Sequence, residues 1–206
     1  MSSLDAGALR QLLGECTIGR EIIVLEETTS TNDSILHRAG PTTPEGLVIF
    51  AEHQTAGRGQ RSKRWESALN KGLWFSFLLH PKIDIVESAR LTTWAANTVA
   101  DSIRNEFSLP VTVRPPNDVQ LDGRKIAGVL VEMRAQQGGP HLTIAGIGIN
   151  VNHRVEDFPE ELQDCAISLA MALDRSVDRQ QFAVTLLRNL DRTYSATFCH
   201  SPKRRS

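Results

Sequence analysis

The chain has 206 residues, 40% hydrophobic and 23% charged, and its 23 basic and 24 acidic side chains leave a formal charge of −1. That balance excludes a disordered chain, a collagen and a coiled coil, and it gives no electrostatic footprint for nucleic acid. No run reaches the ~18–20 apolar residues that cross a bilayer.

A single soluble domain with a sizeable core is expected over residues 1–200, and the basic segment 201–206 reads as a frayed tail. Met1-Ser2-Ser3-Leu4-Asp5 lacks a basic stretch leading into an apolar run, so no secretory signal is expected. Cys16, Cys165 and Cys199 are odd in number and lack metal-ligand spacing, which favours a reducing, cytoplasmic setting over a disulfide framework or zinc site. The six histidines are scattered without an HxxxH pair and read as surface or structural residues.

Ile22-Ile23-Val24-Leu25 is a short, partly β-branched run and predicts the first strand. The stretch Thr28 to Asp33 is crowded with N-cap residues, so a helix follows, carrying Ile35, Leu36 and Ala39 and ending at Gly40-Pro41. Leu47 to Ala51 is a second strand, after which a polar loop containing Gly57 and Gly59 runs to Trp65. Leu73 to Leu79 is a third strand, stopped near Pro81. From Ser88 to Phe107 apolar residues recur at Leu91, Ala95, Val99, Ile103 and Phe107, the spacing of a long amphipathic helix.

Val111 to Arg114 predicts a strand that Pro115-Pro116 ends. Val119 to Leu121 and Ile126 to Met133 flank Asp122-Gly123, a strong hairpin signal. Gln136 to Pro140 is another turn, leading into a strand from His141 to Asn150. The remainder is expected to be helical. Ser168 caps a short helix over Leu169–Leu173, and Asp178 with Gln181 resembles a capping box for a helix carrying Phe182, Leu186, Leu190, Tyr194 and Phe198 on one face. Hairpins in mid-chain and helices at both ends predict an α+β fold, a mixed and largely antiparallel sheet flanked by helices.

Three segments carry chemistry. Gln54-Thr55-Ala56-Gly57-Arg58-Gly59-Gln60-Arg61-Ser62-Lys63-Arg64-Trp65 places four basic side chains within seven positions. Glycines free a backbone to wrap a ligand, and arginines donate in pairs to carboxylate or phosphate. On composition alone the segment reads equally as a solvated basic loop, and it completes neither a Walker A motif nor GxGxxG. The second segment is Arg114-Pro115-Pro116-Asn117-Asp118 followed by Gly123 to Glu132. Here Lys125 opens a strand just past a hairpin turn, as an ordinary strand-end lysine or as a cation reaching into a cleft. In the third, Gly146-Ile147-Gly148-Ile149-Asn150, alternate glycines share one strand face and allow a close approach, with Asn150 in phase.

Together these segments resemble the catalytic domain of biotin–protein ligases. Ser30-Thr31-Asn32 is similar to the family's STN, and the loop ending at Trp65 to its biotin loop, GRGRRGRxW. Arg114 to Asp118 with Gly123 to Glu132 corresponds to KWPND followed by GxKxAGILVE, and Gly146 to Asn152 to GIGINVN. The order agrees, and the resemblance spans residues 22–195. Gln60 and Ser62 stand where the loop has arginine and glycine, and Arg114-Pro115 replaces lysine and tryptophan.

The resemblance implies a biotin–[biotin carboxyl carrier protein] ligase, with neither a helix-turn-helix before the domain nor a C-terminal β-barrel after it. Biotin and ATP would be its substrates, with Mg²⁺, and a carrier domain of a biotin-dependent carboxylase its partner; whether it forms a homodimer stays open. It assigns Lys125 and Arg58 to catalysis. Ser30, Thr31, Asn32, Gln54, Gly57, Arg58, Gly59, Gln60, Lys125 and Gly128 would bind biotin, and Arg61, Lys63, Trp65, Asn117, Asp118, Lys125 and Asn150 would bind ATP. It names no metal ligands. A lipoate–protein ligase or octanoyltransferase, a relative that binds without ligating, and an unrelated anion-binding module stay open as alternatives; the complete GRGxxxxxW loop favours biotin.

Overall fold

The apolar runs become strands, most of them longer by a residue or a few, while those expected from Val111 and His141 each start one residue later. In the computed structural model, residues 3–40, 42–135 and 141–199 are described. The strands are β1 (Glu21–Thr28), β2 (Leu47–Gln54), β3 (Gly72–Leu79), β4 (Thr112–Arg114), β5 (Asp118–Leu121), β6 (Arg124–Arg134) and β7 (Leu142–Asn150). They form one sheet in the order β1-β2-β3-β7-β6-β5-β4. Only β1 and β2 pair in parallel; the other neighbours are antiparallel, giving the mixed α+β sheet that the hairpins predicted. Asp122 and Gly123, at φ 49° and 76°, supply the two positive φ angles that a tight hairpin between β5 and β6 requires.

The two faces of the sheet are covered unequally. Along β3, Leu73, Phe75, Phe77 and Leu79 alternate into the larger core cluster. That cluster is shared with α1 (Ala6–Leu13), α3 (Ser88–Phe107) and α5 (Arg179–Tyr194). The opposite face is covered by the single short helix α2 (Thr31–Arg38), whose Ile35 packs with Leu47, Ile49, Leu78, Leu142 and Ile144. Beyond the reach of Ile35 and Leu36 this face carries Ser76, Gly146, Gly148 and Gly128, with Trp74 beside them packed against Trp65 and His153. A concavity results because one helix cannot cover a seven-stranded face.

Three local expectations change. No element was foreseen before Ile22, yet α1 forms there, with Asp5 accepting from Ala8 N at 2.6 Å as its N-cap. The stretch after β7 was expected to be helical, but 151–168 is irregular apart from two single turns, Val155–Asp157 and Glu160–Leu162. Its backbone is spent on β6 instead, where Lys125 N donates to Cys165 O (2.7 Å) and Ile167 N to Lys125 O (3.0 Å). Then α4 (Leu169–Leu173) begins at the expected Ser168 cap, while α5 ends at Tyr194 and passes into a π-helical turn, Ser195–Cys199, that keeps Phe198 buried against Trp94 and Tyr194. Asp178 accepts from Gln181 N as expected (3.1 Å). The turn read over 136–140, His200 and the tail 201–206 lie outside the described residues, as does Pro41.

His153 is the structural histidine that the scattered pattern suggested. Its ring stacks on Phe158 at 4.8 Å and meets Trp74 edge-on at 5.5 Å. Burial pushes its pKa down to about 4, against the pull of Asp157. Its folded pKa thus lies below the unfolded ~6.5, so on acidification the unfolded chain takes up the proton first. Stability from this group is complete above pH ~6.5 and drains away towards pH ~4, by roughly 3 kcal/mol. Urea denaturation at about pH 7 and about pH 4.5 should show this loss, with His153→Phe flattening it. An equal pH slope in the variant would assign the loss to other groups.

Candidate functional site

The concavity is floored by buried polar groups at the start of α2. Ser30 is its N-cap residue but makes no side-chain capping bond, which leaves its buried hydroxyl facing the cavity. Thr31 N donates to Gln54 Oε1 (2.8 Å), and Thr31 Oγ1 lies 2.6 Å from Ser76 Oγ. Ser76 in turn donates to Asn32 Oδ1 (2.5 Å), and Asn32 Nδ2 donates to Glu132 Oε2 (2.6 Å). Gly146 must lack a Cβ because one there would sit 2.3 Å from Asn32 Oδ1.

Further along the floor, Gly128 and Gly148 are direct cross-strand partners on β6 and β7. The Trp65 indole lies on them. A Cβ at Gly148 would come within 2.5 Å of the ring, and one at Gly128 within 2.8 Å. Gly148→Ala is therefore expected to lift Trp65 off the sheet, read as a shifted tryptophan emission with little change in the circular dichroism of the fold. An unchanged emission spectrum would show that the ring does not rest there.

Lys125 reaches this face because the strand is bulged. Val119 pairs with Ala127 but Gln120 pairs with Lys125, which makes Ile126 an extra residue on β6. Strict alternation would put Lys125 on the core side with Ala127 and Val129. The bulge turns it to the side of Gly128, where a Cβ would meet Lys125 Nζ at 3.2 Å. Its Nζ pairs with Asp118 Oδ1 (2.6 Å) and stands 5.2 Å from the Trp65 ring centroid.

Two cavities meet at this point. The first encloses about 420 Å³ of atom-free space and is lined by Ser30, Thr31, Asn32, Gln54, Arg58 and Gly128, among others. The second, about 1460 Å³ and open to solvent, lies along Gln60, Arg61, Lys63, Asp118 and Asn150. Gly59, Trp65, Asn117 and Lys125 line both. The residues assigned to biotin thus collect in the first cavity and those assigned to ATP in the second, with two exceptions. Gln60 faces the second cavity. Gly57 lines neither; it closes the loop base, accepting from Trp65 N (2.9 Å), and a Cβ there would lie 2.6 Å from Trp65 O.

Arg58 is engaged within the protein. Its guanidinium bonds to Asp33 of α2 and to Glu132 Oε2 of β6 (3.1 Å), strapping the loop across the first cavity. The hydrogen bond to Asp33 raises its pKa most, burial opposes this, and Glu132 adds to the rise. The amides of Asn117 and Asn150 also serve the backbone: Asn117 Nδ2 donates to Val129 O (3.1 Å), and Asn150 Nδ2 to Ile167 O (3.1 Å). Sequence reasoning missed Ser76, Asp33 and Glu132. A lone serine inside the apolar run Leu73 to Leu79 was the signal for the first; Glu132 closes the GxKxAGILVE segment and Asp33 follows Ser30-Thr31-Asn32, but their pairing with Arg58 needs the fold.

The same arrangement recurs in known proteins. Residues 24–150 match the model of the biotin/lipoate A/B protein ligase family. The chain is 34% identical over 195 residues to the biotin–[acetyl-CoA-carboxylase] ligase of Mycobacterium tuberculosis, covering 91% of this chain and 70% of that protein. It is 34% identical over 183 residues to the bifunctional ligase/repressor BirA of Bacillus subtilis, covering 89% of this chain and 56% of that one. The chain thus spans little more than half the length of that relative. Among solved structures, a biotin protein ligase from Aquifex aeolicus in complex with biotin and ATP superposes with a TM-score of 0.74 at 29% identity, covering 88% of this chain and 73% of the other. With the family model matching more than half of its length, the chain belongs to the biotin/lipoate A/B protein ligase family.

Proposed function

We propose that this chain is an ATP-dependent biotin–protein ligase, which forms biotinyl-5′-adenylate and transfers biotin to a lysine of a carboxyl carrier domain. One observation carries the reading. Lys125 stands where the two cavities join, so a carboxylate held in the first and an α-phosphate held in the second meet at a single cation. A carboxylate oxygen of biotin attacks the α-phosphorus and pyrophosphate leaves. The carrier amine then attacks the anhydride carbonyl and AMP leaves. Both anions repel each other as they approach, and a fixed cation offsets charge that grows in the transition state.

The buried hydroxyl and amide groups of Ser30, Thr31 and Gln54 suit a cyclic urea, whereas the dithiolane of lipoate would offer them no comparable hydrogen bond. Among the described residues no group of three or more His, Cys, Asp or Glu side chains could cage a metal ion. Mg²⁺ would enter with the nucleotide, held chiefly by phosphate oxygens, and Glu66 and Asp118 are the carboxylates that line the second cavity. Cys16, Cys165 and Cys199 are free thiols, in keeping with a reducing compartment, and no helix among the described residues is long and apolar enough to cross a membrane. Incubation with biotin, MgATP and an acceptor carrier domain, followed by intact-mass spectrometry, is expected to add one biotinyl group to one lysine. An unmodified carrier, with no pyrophosphate released, would defeat the reading.

A further inference from the structure

We infer that Glu132 is a positioning residue that sets ligand specificity, by fixing the direction in which hydrogen bonds run through the floor of the first cavity. The inference rests on the biotin reading and deepens it. Glu132 lines neither cavity and so acts only through Asn32 and Arg58.

A carboxylate paired with arginine accepts hydrogen bonds and does not donate. The Asn32 atom 2.6 Å from Glu132 Oε2 must then be the amide nitrogen, which turns Asn32 Oδ1 towards Ser76. Because Oδ1 only accepts, the Ser76 hydroxyl proton points to it across 2.5 Å. The 2.6 Å contact between Ser76 Oγ and Thr31 Oγ1 consequently needs the proton of Thr31. Each donor is committed in turn, from Thr31 to Ser76 to Asn32 to Glu132. With its proton spent, Thr31 presents only lone pairs to the cavity, and the floor is built to receive N–H groups.

A neutral amide at position 132 removes this direction, because it both donates and accepts. Asn32 can then turn over, Ser76 can reverse and donate to Thr31, and the Thr31 proton is released from Ser76 and shared between Gln54 Oε1, 3.2 Å away, and the cavity. Holding Arg58 is the competing role for Glu132. Loss of that strap alone weakens every ligand of the cavity alike and leaves discrimination between ligands unchanged.

The test measures affinity by titration calorimetry for biotin and for a cyclic-carbamate analogue in which one ring N–H is replaced by oxygen. Wild type, Glu132→Gln and Ser76→Ala are compared. Wild type should prefer biotin by about 10- to 100-fold, the worth of a buried hydrogen bond whose partner would otherwise be left unpaired. Both variants should lower that ratio several-fold, with Gln54 Oε1 keeping a share of the Thr31 proton. Ser76→Ala cuts the chain without touching Glu132 or Arg58, so it decides the matter if Glu132→Gln fails to fold. A ratio unchanged in a folded variant, or no preference in wild type, overturns the inference. Wild type that binds neither ligand overturns the biotin reading itself, a result distinct from either.

Discussion

Lys125→Ala is expected to slow formation of the adenylate by about 10²–10³-fold, the usual cost of removing a preorganised donor aimed at developing charge. Biotin affinity should change far less, because the floor proposed to receive the ureido ring is built by Ser30, Thr31, Asn32 and Gln54 on other elements. The lysine is preorganised in three ways. Its backbone is clamped between Cys165 O and Ile167 N, its ammonium is paired with Asp118, and the Trp65 face lies beside it. Pre-steady-state release of pyrophosphate, measured with saturating biotin and MgATP, reports the step. Release at the wild-type rate would remove Lys125 from the chemistry, and equal losses in biotin affinity and rate would make it a binding residue only.

The largest expected loss of stability comes from the opposite face of the sheet. Arg179, the first residue of α5, is 4% exposed and pairs with Glu52 of β2, which is 3% exposed, at 2.7 Å. The same guanidinium donates to Gly72 O (3.0 Å), while Glu52 Oε1 accepts from Leu4 N (2.6 Å). One ion pair therefore ties α5, strands β2 and β3 and the segment leading into α1. Arg179→Met would strand a buried carboxylate and is expected to cost about 3–5 kcal/mol. Adding Glu52→Gln should recover part of this, because a neutral amide needs less compensation when buried. Urea midpoints for the two single variants and the double variant form the cycle. A loss below 1 kcal/mol for Arg179→Met would mean that water reaches the pair.

Much of the fold was legible before any coordinates. The period of four from Leu91 to Phe107 gave α3 its full span, and Asp122-Gly123 located the β5–β6 turn. The alternate glycines at 146 and 148 announced a strand face open to close approach, and the structure lays Asn32 and Trp65 on them. In each case the signal and its consequence lie within one element, where side-chain direction follows the backbone repeat. The irregular 151–168 segment differs from the helix expected there because its backbone groups at Cys165 and Ile167 bond to Lys125 of β6, a long-range pairing with no local sequence pattern.

The sequence by itself determined which residue types face one another along each strand and helix, and its ordered motifs determined the family. Only the tertiary structure decided how those faces combine. A strand register places the extra residue at Ile126 and so turns Lys125 from the core to the cavity. Helix α5 is set with Arg179 at its N-terminus, where a cation is locally unfavourable, because Glu52 lies 127 positions away in sequence and directly opposite in space. Glu132 and Asn32, 100 positions apart, meet for the same reason. Local periodicity follows from backbone geometry alone, whereas the partner of a buried charge or amide is fixed only once the sheet order brings distant segments together.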